Sequence, residues 1–310
     1  MRAPLTIGLV NNMADAALAA TERQFTDLLT AAADGREVIV RLFSLPNMPR
    51  SDYMRNQMRG RYASLEGLAA AKLDALIVTG AEPRTADLKA EPYFPALAWL
   101  ADWAEANTLS TLWSCLAAHA AVLHLDGVKR RPRSAKLSGV FDAHCTRLDP
   151  LTQGFDEIAV PHSRLNELDA RDLEEAGYEI LTRSDAAGVD AFVRHGKSLF
   201  VFLQGHPEYD ADSLCREYLR DVGCFLKGER PTAPLPPANY FAPEVATELR
   251  HLTGLAERMP GHGLMSRFAA VATAPAHAWR QGAVAFYANW IGEIAARKAA
   301  QATVAEAATA

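Results

Sequence analysis

The chain has 310 residues, of which 49% are apolar, 22% charged and 8% aromatic, and 32 Lys and Arg against 37 Asp and Glu give a formal net charge of −5. This ordinary globular composition excludes a collagen-like, coiled-coil or disordered chain, and without a basic excess we expect neither nucleic acid nor a membrane surface as a partner. No apolar stretch is long enough to span a bilayer, and the apolar run before Asp15 is too short for a secretion signal.

Short β-branched runs alternate with helical segments along most of the chain. In chain order the sequence predicts strand Leu5–Val10, helix Leu18–Ala33, strand Glu37–Phe43, helix Tyr62–Lys72, strand Asp74–Thr79, helix Ala96–Asn107, strand Leu109–Ser114, helix Leu116–Leu125 and, further on, strand Leu199–Gln204. This alternation predicts an α/β fold with a mostly parallel sheet flanked by helices.

A group of shorter strands with short connections lies before the last of these elements. Its members are Ser138–Phe141, Glu157–Val160, Tyr178–Thr182 and Val189–Arg194. Because short connections favour neighbouring antiparallel strands, we expect this group to form an antiparallel flank of the sheet.

The proline-rich segment Lys227–Pro237 divides the chain into a predicted catalytic domain, residues 1–230, and a C-terminal extension, residues 231–297, packed on it. The extension contains predicted helices over Pro243–Leu255 and Ala276–Ala296. Residues 298–310 are rich in alanine and poor in large apolar side chains, so we expect a disordered tail there.

The four cysteines, at positions 115, 145, 215 and 224, form no C-x-x-C pair. They therefore predict neither a disulfide framework nor a zinc site, and they fit a reduced, cytoplasmic protein without a bound metal.

Cys115 lies where an apolar predicted strand meets a helix of small residues. In α/β sheets reactive groups collect beyond the carboxyl ends of strands, and a helix N-terminus favours a thiolate. The placement is typical of a nucleophile, although a lone cysteine at a strand end is more often a small core residue.

Another buried strand ends at the segment Gly205–Asp210 (GHPEYD). His206 could take a proton from a thiol, and Glu208 could hold the imidazole in one tautomer, so that the two complete a Cys-His-Glu triad. A third strand ends at Gly80 and Ala81, whose amides, with that of Leu116, could form an oxyanion hole. The alternative for GHPEYD is a turn histidine followed by a helix-opening glutamate. For Gly80 and Ala81 the alternative is a plain glycine turn, which the segment in isolation favours.

An ordered series of motifs resembles the homoserine O-acyltransferases of bacterial methionine biosynthesis, over about Leu5 to Trp290. The motifs are TGAEP at 79–83, the cysteine elbow at 115, KLSGVF at 136–141, PHSR at 161–164, GHPEYD at 205–210, EYLRD at 217–221, NYF at 239–241 and WRQGAVAFYANW at 279–290. The resemblance implies the class I glutamine amidotransferase-like fold.

By this resemblance Cys115 would carry an acyl thioester, with His206 as general base and Glu208 as its partner. Lys136, Ser163 and Arg220 would bind the substrate, Arg220 through the carboxylate of the amino acid. Without the resemblance, the sequence predicts only that Arg220 is a solvated residue that pairs with Glu217.

Four positions depart from the family pattern. Ala117 replaces a glycine two residues after the cysteine, and His119 replaces a glutamine. The first loop, Met13–Ala17, lacks the family's lysine pair. Arg84 stands where the family discriminates acyl donors, and because an arginine matches the carboxylate of a succinyl group we expect succinyl-CoA to be preferred over acetyl-CoA.

The expected reaction is acyl transfer from succinyl-CoA or acetyl-CoA to homoserine or a related hydroxy amino acid, without a cofactor. Serine as the acceptor, a glutamine amidotransferase or γ-glutamyl hydrolase, and a catalytically inactive binding protein remain alternatives. A homodimer also remains open.

Overall fold

The computed structural model describes residues 2–259 and 263–309. Its main sheet has eight strands in the order β3-β2-β1-β4-β5-β12-β11-β8. The strands are β1 Leu5–Val10, β2 Val38–Phe43, β3 Tyr62–Ala63, β4 Ala75–Val78, β5 Ser110–Ser114, β8 Glu179–Ile180, β11 Ala191–His195 and β12 Leu199–Leu203. The strands from β3 to β12 in this order pair in parallel, and β11 is antiparallel to both its neighbours. The predicted α/β fold with a mostly parallel sheet is confirmed.

The central strands are buried on both faces because helices cover both sides of the sheet. In β4, Ala75 and Ile77 join the core beneath helices α1 (Asp15–Ala32) and α10 (Arg280–Thr309). Leu76 and Val78 point to the opposite core, beneath α4 (Phe94–Asn107) and α5 (Leu116–Leu125). Strands covered on both faces have continuous apolar sequences, which is why the sequence alone located them.

A second, four-stranded antiparallel sheet has the order β10-β9-β6-β7. Its strands are β6 Arg131–Cys145, β7 Glu157–Glu167, β9 Thr182–Ser184 and β10 Gly188–Val189. The predicted antiparallel flank is confirmed for Glu179–Ile180 and Ala191–His195, which pair antiparallel at the edge of the main sheet. It is wrong for Ser138–Phe141 and Glu157–Val160, which lie in the second sheet. The sequences of these short strands do not indicate which strand each one pairs with.

The remaining helices are α2 Asp52–Met58, α3 Leu68–Ala71, α6 Ala170–Glu175, α7 Ser213–Leu226, α8 Pro243–Arg258 and α9 Gly263–Val271. Where one helix was predicted over Tyr62–Lys72, β3 and a short 3₁₀ turn precede α3. Helices α7, α8 and α9 share an apolar core with the segment before α10.

Helix α10 extends from Arg280 to Thr309. It includes residues 298–309, for which the sequence predicted a disordered tail. Alanine has the highest intrinsic helix propensity, so an alanine-rich end can extend a helix without packing. The domain boundary near residue 230 stays a prediction. Within the described residues, no helix combines the length and apolar character that crossing a membrane requires.

Candidate active site

Three neighbouring parallel strands, β4, β5 and β12, bring the candidate catalytic residues to one edge of the sheet. Gly80 follows β4, Cys115 follows β5, and His206 follows β12. Val78 is paired with Trp113, and Ser114 with Leu203, so that the strands end side by side. The carboxyl edge of such a sheet is where α/β proteins bind their ligands.

Cys115 occupies a sharp turn between β5 and α5. Its backbone has φ 53° and ψ −116°, a conformation that a residue with a Cβ adopts at a cost. The Cys115 amide donates to the carbonyl oxygen of Leu203 at 2.7 Å, which fixes the turn against β12. The side chain is partly exposed. A strained strand-to-helix turn that presents an accessible side chain is typical of a nucleophile elbow.

The candidate oxyanion hole lies against this elbow. A Cβ added to Gly80 would be 2.9 Å from both the amide nitrogen and the Cβ of Leu116, so the two segments approach as closely as a glycine allows. Leu116 is the first residue of α5, where an amide has no acceptor within its own helix. Gly80, Ala81 and Leu116 are thus brought together as the sequence predicted, and their role in binding an oxyanion stays a prediction.

His206 and Glu208 form a buried pair, with 2.8 Å between Nδ1 and Oε1. A proton on Nδ1 donates to the carboxylate, which leaves Nε2 for the thiol. The second oxygen, Oε2, is buried without a hydrogen-bond partner among the described residues. The His206 amide donates to the carbonyl oxygen of Pro161 at 2.8 Å, so that the second sheet also holds the imidazole in place.

The electrostatic environment of His206 favours its protonated form. Burial lowers the pKa of the imidazole, but the charges of Cys115 and Glu208 and the hydrogen bonds to both outweigh burial and hold the pKa well above its ordinary value. The imidazole is therefore suited to hold a proton between the Cys115 sulfur and the Glu208 carboxylate.

Tyr209 stacks on the imidazole of His206, with ring centroids 4.3 Å apart. Its carbonyl oxygen accepts from His277 Nε2 at 2.8 Å and from Trp279 Nε1 at 2.9 Å. The segment that leads into α10 thereby anchors the loop that carries His206.

The candidate substrate-binding residues Lys136 and Ser163 meet at Glu217 of α7. Ser163 Oγ donates to Glu217 Oε2, Tyr209 donates to Oε1 at 2.6 Å, and Lys136 Nζ lies 3.6 Å from Oε2. Burial raises the pKa of Glu217, but Lys136, Ser163, Tyr209 and His206 outweigh it and lower the pKa. Glu217 is therefore an ionised carboxylate beside the triad, a role that the sequence did not predict.

Arg220 also lies on α7, but it contacts Asp221 rather than Glu217. Its Nε and Nη2 donate to Asp221 Oδ1 at 3.1 and 2.9 Å. Lys136 and Arg230 approach the other oxygen of Asp221, at 2.9 and 3.2 Å. The Arg220 side chain is 60% exposed, which leaves its guanidinium accessible to a carboxylate.

Arg84 lies on an exposed loop that turns around the buried carboxylate of Glu91. Glu91 Oε1 accepts from the amides of Arg84 and Thr85 at 2.5 and 2.7 Å. The Arg84 side chain is exposed. Glu91 fixes the backbone of Arg84. Contact between the Arg84 side chain and an acyl donor stays a prediction.

The structure shows which contacts form at two of the places where the sequence departs from the family pattern. His119 is buried, and its Nε2 is 3.0 Å from Gln204 Oε1, while burial lowers its pKa to about 3, so the imidazole is neutral. The first loop, which lacks lysine, holds the buried guanidinium of Arg50, which donates to the carbonyl oxygens of Met13 and Asn11. This role of Arg50 was not predicted, because Arg50 lies far along the chain from the loop.

A buried polar pair behind the base was also missed. Asp190 Oδ1 accepts from the Gly205 amide at 3.1 Å and lies 3.5 Å from His162 Nε2. Burial raises the pKa of Asp190 to about 6. The pair fixes the backbone just before His206. Residues this far apart in the sequence meet only through sheet pairing, which no local motif indicates.

In the described ranges, no group of three or more His, Cys, Asp or Glu side chains is placed to hold a metal ion.

Comparisons with known proteins point to one family. The model of a family described as homoserine O-succinyltransferase matches residues 2–300. The chain is similar to a homoserine O-succinyltransferase of Rhodopseudomonas palustris, with 49% identity over 94% of this chain and 88% of the relative. It is also similar to one of Methylorubrum extorquens, with 46% identity over 95% of this chain and 88% of the relative.

Among solved structures, the chain resembles a glutamine amido transferase from Methylobacillus flagellatus. The TM-score is 0.50 at 17% identity, over 94% of this chain and 96% of the other. At this identity the likeness concerns the fold alone, and the fold is that of the glutamine amidotransferases.

Proposed function

The chain belongs to the homoserine O-succinyltransferase family, and on this premise we propose that it transfers the succinyl group of succinyl-CoA to the hydroxyl of homoserine, in methionine biosynthesis. The family resemblance seen in the sequence is thereby confirmed. The observation that best supports the mechanism is the placement of Cys115 on a strained elbow next to an imidazole that is stabilised as a cation.

In the first half-reaction the Cys115 thiolate attacks the carbonyl carbon of the acyl-CoA thioester. The tetrahedral intermediate carries its negative charge on oxygen, where the amides of Gly80, Ala81 and Leu116 would donate to it. The C–S bond to CoA then breaks, and the His206 imidazolium supplies the proton that the CoA thiolate takes up. The acyl group remains on Cys115 as a thioester.

In the second half-reaction the neutral imidazole of His206 accepts the proton of the acceptor hydroxyl, which attacks the acyl-enzyme. The O-acyl amino acid leaves, and the thiolate and the imidazolium are restored. Glu208 balances the imidazolium charge in both steps and holds the ring through Nδ1.

The residues around α7 are suited to an amino-acid acceptor. Arg220, on the exposed side, would bind the α-carboxylate, and the ionised Glu217 would balance the α-ammonium. Lys136 and Ser163 orient Glu217 through their contacts with it. The acceptor hydroxyl would then extend toward His206.

We expect Arg220→Ala to raise the KM for the acceptor far more than the KM for the acyl-CoA donor. A guanidinium pairs with a carboxylate through two parallel hydrogen bonds, and the α-carboxylate belongs to the acceptor alone. Steady-state kinetics with each substrate varied in turn measures both constants. Arg216→Ala, on the same helix, is the matched control, and an unchanged acceptor KM in Arg220→Ala would make Arg220 a mere surface residue.

We expect Arg84→Ala to slow transfer from succinyl-CoA by roughly 10- to 150-fold and to leave transfer from acetyl-CoA nearly unchanged. Hydrogen bonds to charged groups contribute about 1.5–3 kcal/mol, and an acetyl group has no carboxylate to bind. Initial rates with both donors test this, with Arg59→Ala as the control for loss of an exposed arginine. Equal losses for the two donors would show that Arg84 does not select the donor.

The direct test of the function is to incubate the protein with succinyl-CoA or acetyl-CoA and a panel of hydroxy amino acids, and to follow CoA release. We expect release that requires homoserine and is faster with succinyl-CoA. Release with serine but not homoserine would reassign the acceptor. Glutamine hydrolysis without acyl transfer would make the protein a glutaminase instead.

A further inference from the structure

A buried tyrosine in the same apolar core as Ala81 and Leu116 has a hydroxyl without a hydrogen-bond partner among the described residues. Tyr93 precedes α4 and is 3% exposed, and its hydroxyl has no hydrogen-bond partner among the described residues. Leaving a buried hydroxyl unpaired costs free energy, and such groups are rare in folded proteins. The hydroxyl is therefore free to bind a ligand.

Arg130, on the segment between α5 and β6, contacts the loop that precedes Tyr93. Its Nη2 donates to the carbonyl oxygen of Ala86 at 3.0 Å and lies 3.5 Å from that of Thr85, on the loop that carries Arg84. The residue is half-buried, and no carboxylate within the described ranges pairs with its guanidinium. A half-buried arginine with donors to spare is unusual unless a ligand supplies the anion.

Arg130 lies within electrostatic range of both Tyr93 and Cys115. Burial lowers the pKa of Arg130, while Tyr93, Glu91 and the thiolate of Cys115 oppose this effect. Burial raises the pKa of Tyr93, as does the Glu91 carboxylate, whereas Arg130 lowers it, and the net shift is upward. Near neutral pH the site therefore presents a phenolic O–H and a guanidinium, both hydrogen-bond donors.

We propose that Tyr93 and Arg130 bind the terminal carboxylate of the succinyl group while its acyl carbon is attached to Cys115. This inference rests on the proposed function and deepens it. A carboxylate accepts hydrogen bonds on two oxygens, and here one donor is a buried hydroxyl and the other a cation. Arg84 would reach the same group from the exposed side of the loop.

The same two donors could also bind a phosphate of CoA. Succinyl-CoA and acetyl-CoA carry identical phosphates and differ only in the acyl group. A comparison of the two donors therefore separates the carboxylate from the phosphates.

Tyr93→Phe removes one oxygen and breaks no hydrogen bond within the described residues. We expect kcat/KM for succinyl-CoA to fall about 10-fold and kcat/KM for acetyl-CoA to change less than about twofold. Tyr218→Phe is the matched control, since Tyr218 is also 3% exposed but packs in the separate core of α7, α8 and α9. For Tyr218→Phe, kcat/KM should equal the wild-type value with both donors.

Arg130→Gln removes the charge and shortens the side chain, while it keeps an uncharged N–H donor. We expect a loss of about 10- to 100-fold with succinyl-CoA and a small change with acetyl-CoA. If thermal unfolding shows that Tyr93→Phe does not fold, the inference is tested with Arg130→Gln alone. The measurement is again kcat/KM with succinyl-CoA against kcat/KM with acetyl-CoA.

Losses that are equal for the two donors, or no loss with succinyl-CoA, would overturn this inference and leave the proposed function intact. A wild-type protein that transfers acetyl groups but no succinyl group would overturn both. A succinyl-selective loss in the variants, with Tyr218→Phe unchanged, supports the carboxylate subsite.

Discussion

Replacing Cys115 by Ala is expected to lower kcat for acyl transfer by a factor on the order of 10⁶, as loss of the nucleophile does in other catalytic triads. The strained elbow presents the Cys115 sulfur to His206, and the proposed acyl-enzyme needs that sulfur. CoA release with succinyl-CoA and homoserine measures the loss.

Cys224→Ala is the matched control, because Cys224 has intermediate burial like Cys115 but lies on α7. It should retain wild-type activity. Circular dichroism and thermal unfolding should show that Cys115→Ala keeps the fold. Alanine removes only the sulfur and keeps the backbone hydrogen bonds of the elbow. Substantial transfer by Cys115→Ala would eliminate the covalent mechanism.

His206→Asn is expected to slow acyl transfer by about 10²- to 10⁴-fold, and Glu208→Gln by less. The imidazole moves the proton in both half-reactions, whereas the carboxylate holds the ring and balances its charge. A glutamine oxygen can still accept the hydrogen bond from Nδ1, so Glu208→Gln loses the charge and keeps the orientation.

The rate of alkylation of Cys115 by iodoacetamide gives a second readout. In His206→Asn the thiolate loses its cationic partner, so alkylation near neutral pH should slow with the catalytic rate. Asn289→Ala, whose amide contacts only the carbonyl oxygens of Leu151 and Gln153, serves as a control. Equal and small effects of His206→Asn and Glu208→Gln would show that GHPEYD is a turn without a catalytic role.

The parts of the fold that the sequence predicted well are those with strong local signals. β1 was predicted with its observed bounds, because a strand covered on both faces has an uninterrupted apolar run. The elbow at Cys115 was equally clear, since an apolar strand, a cysteine and a helix of small residues follow one another directly.

The parts that it did not predict depend on pairing between distant segments. The short strands over 178–194 are divided between two sheets, and two or three residues carry too little pattern to choose a partner. Glu217, Asp190 and Tyr93 reached the site in the same way. Ser163 lies 54 residues from Glu217 in the sequence and Gly205 lies 15 residues from Asp190, while Tyr93 and Arg130 come from separate segments. Each of the three looks like an ordinary surface or core residue in its own segment.

The family resemblance supplied the expected roles of Lys136, Ser163 and Arg220. The structure adds which side chains they contact. Two of them contact Glu217, while Arg220 contacts Asp221. The family pattern could indicate which positions matter, but not that Lys136 and Ser163 meet at an ionised carboxylate that also accepts from Tyr209. That carboxylate is a physical reason to expect an amino acid, with its ammonium group, as the acceptor.

The most direct test of a succinyl-enzyme on Cys115 is intact-mass measurement of the protein with succinyl-CoA and no acceptor. We predict that one succinyl group is added to the wild type, that none is added to Cys115→Ala, and that homoserine then removes the group as its O-succinyl ester. A wild-type protein that stays unmodified while it turns over both substrates, or a succinyl group that persists in Cys115→Ala, would contradict the account.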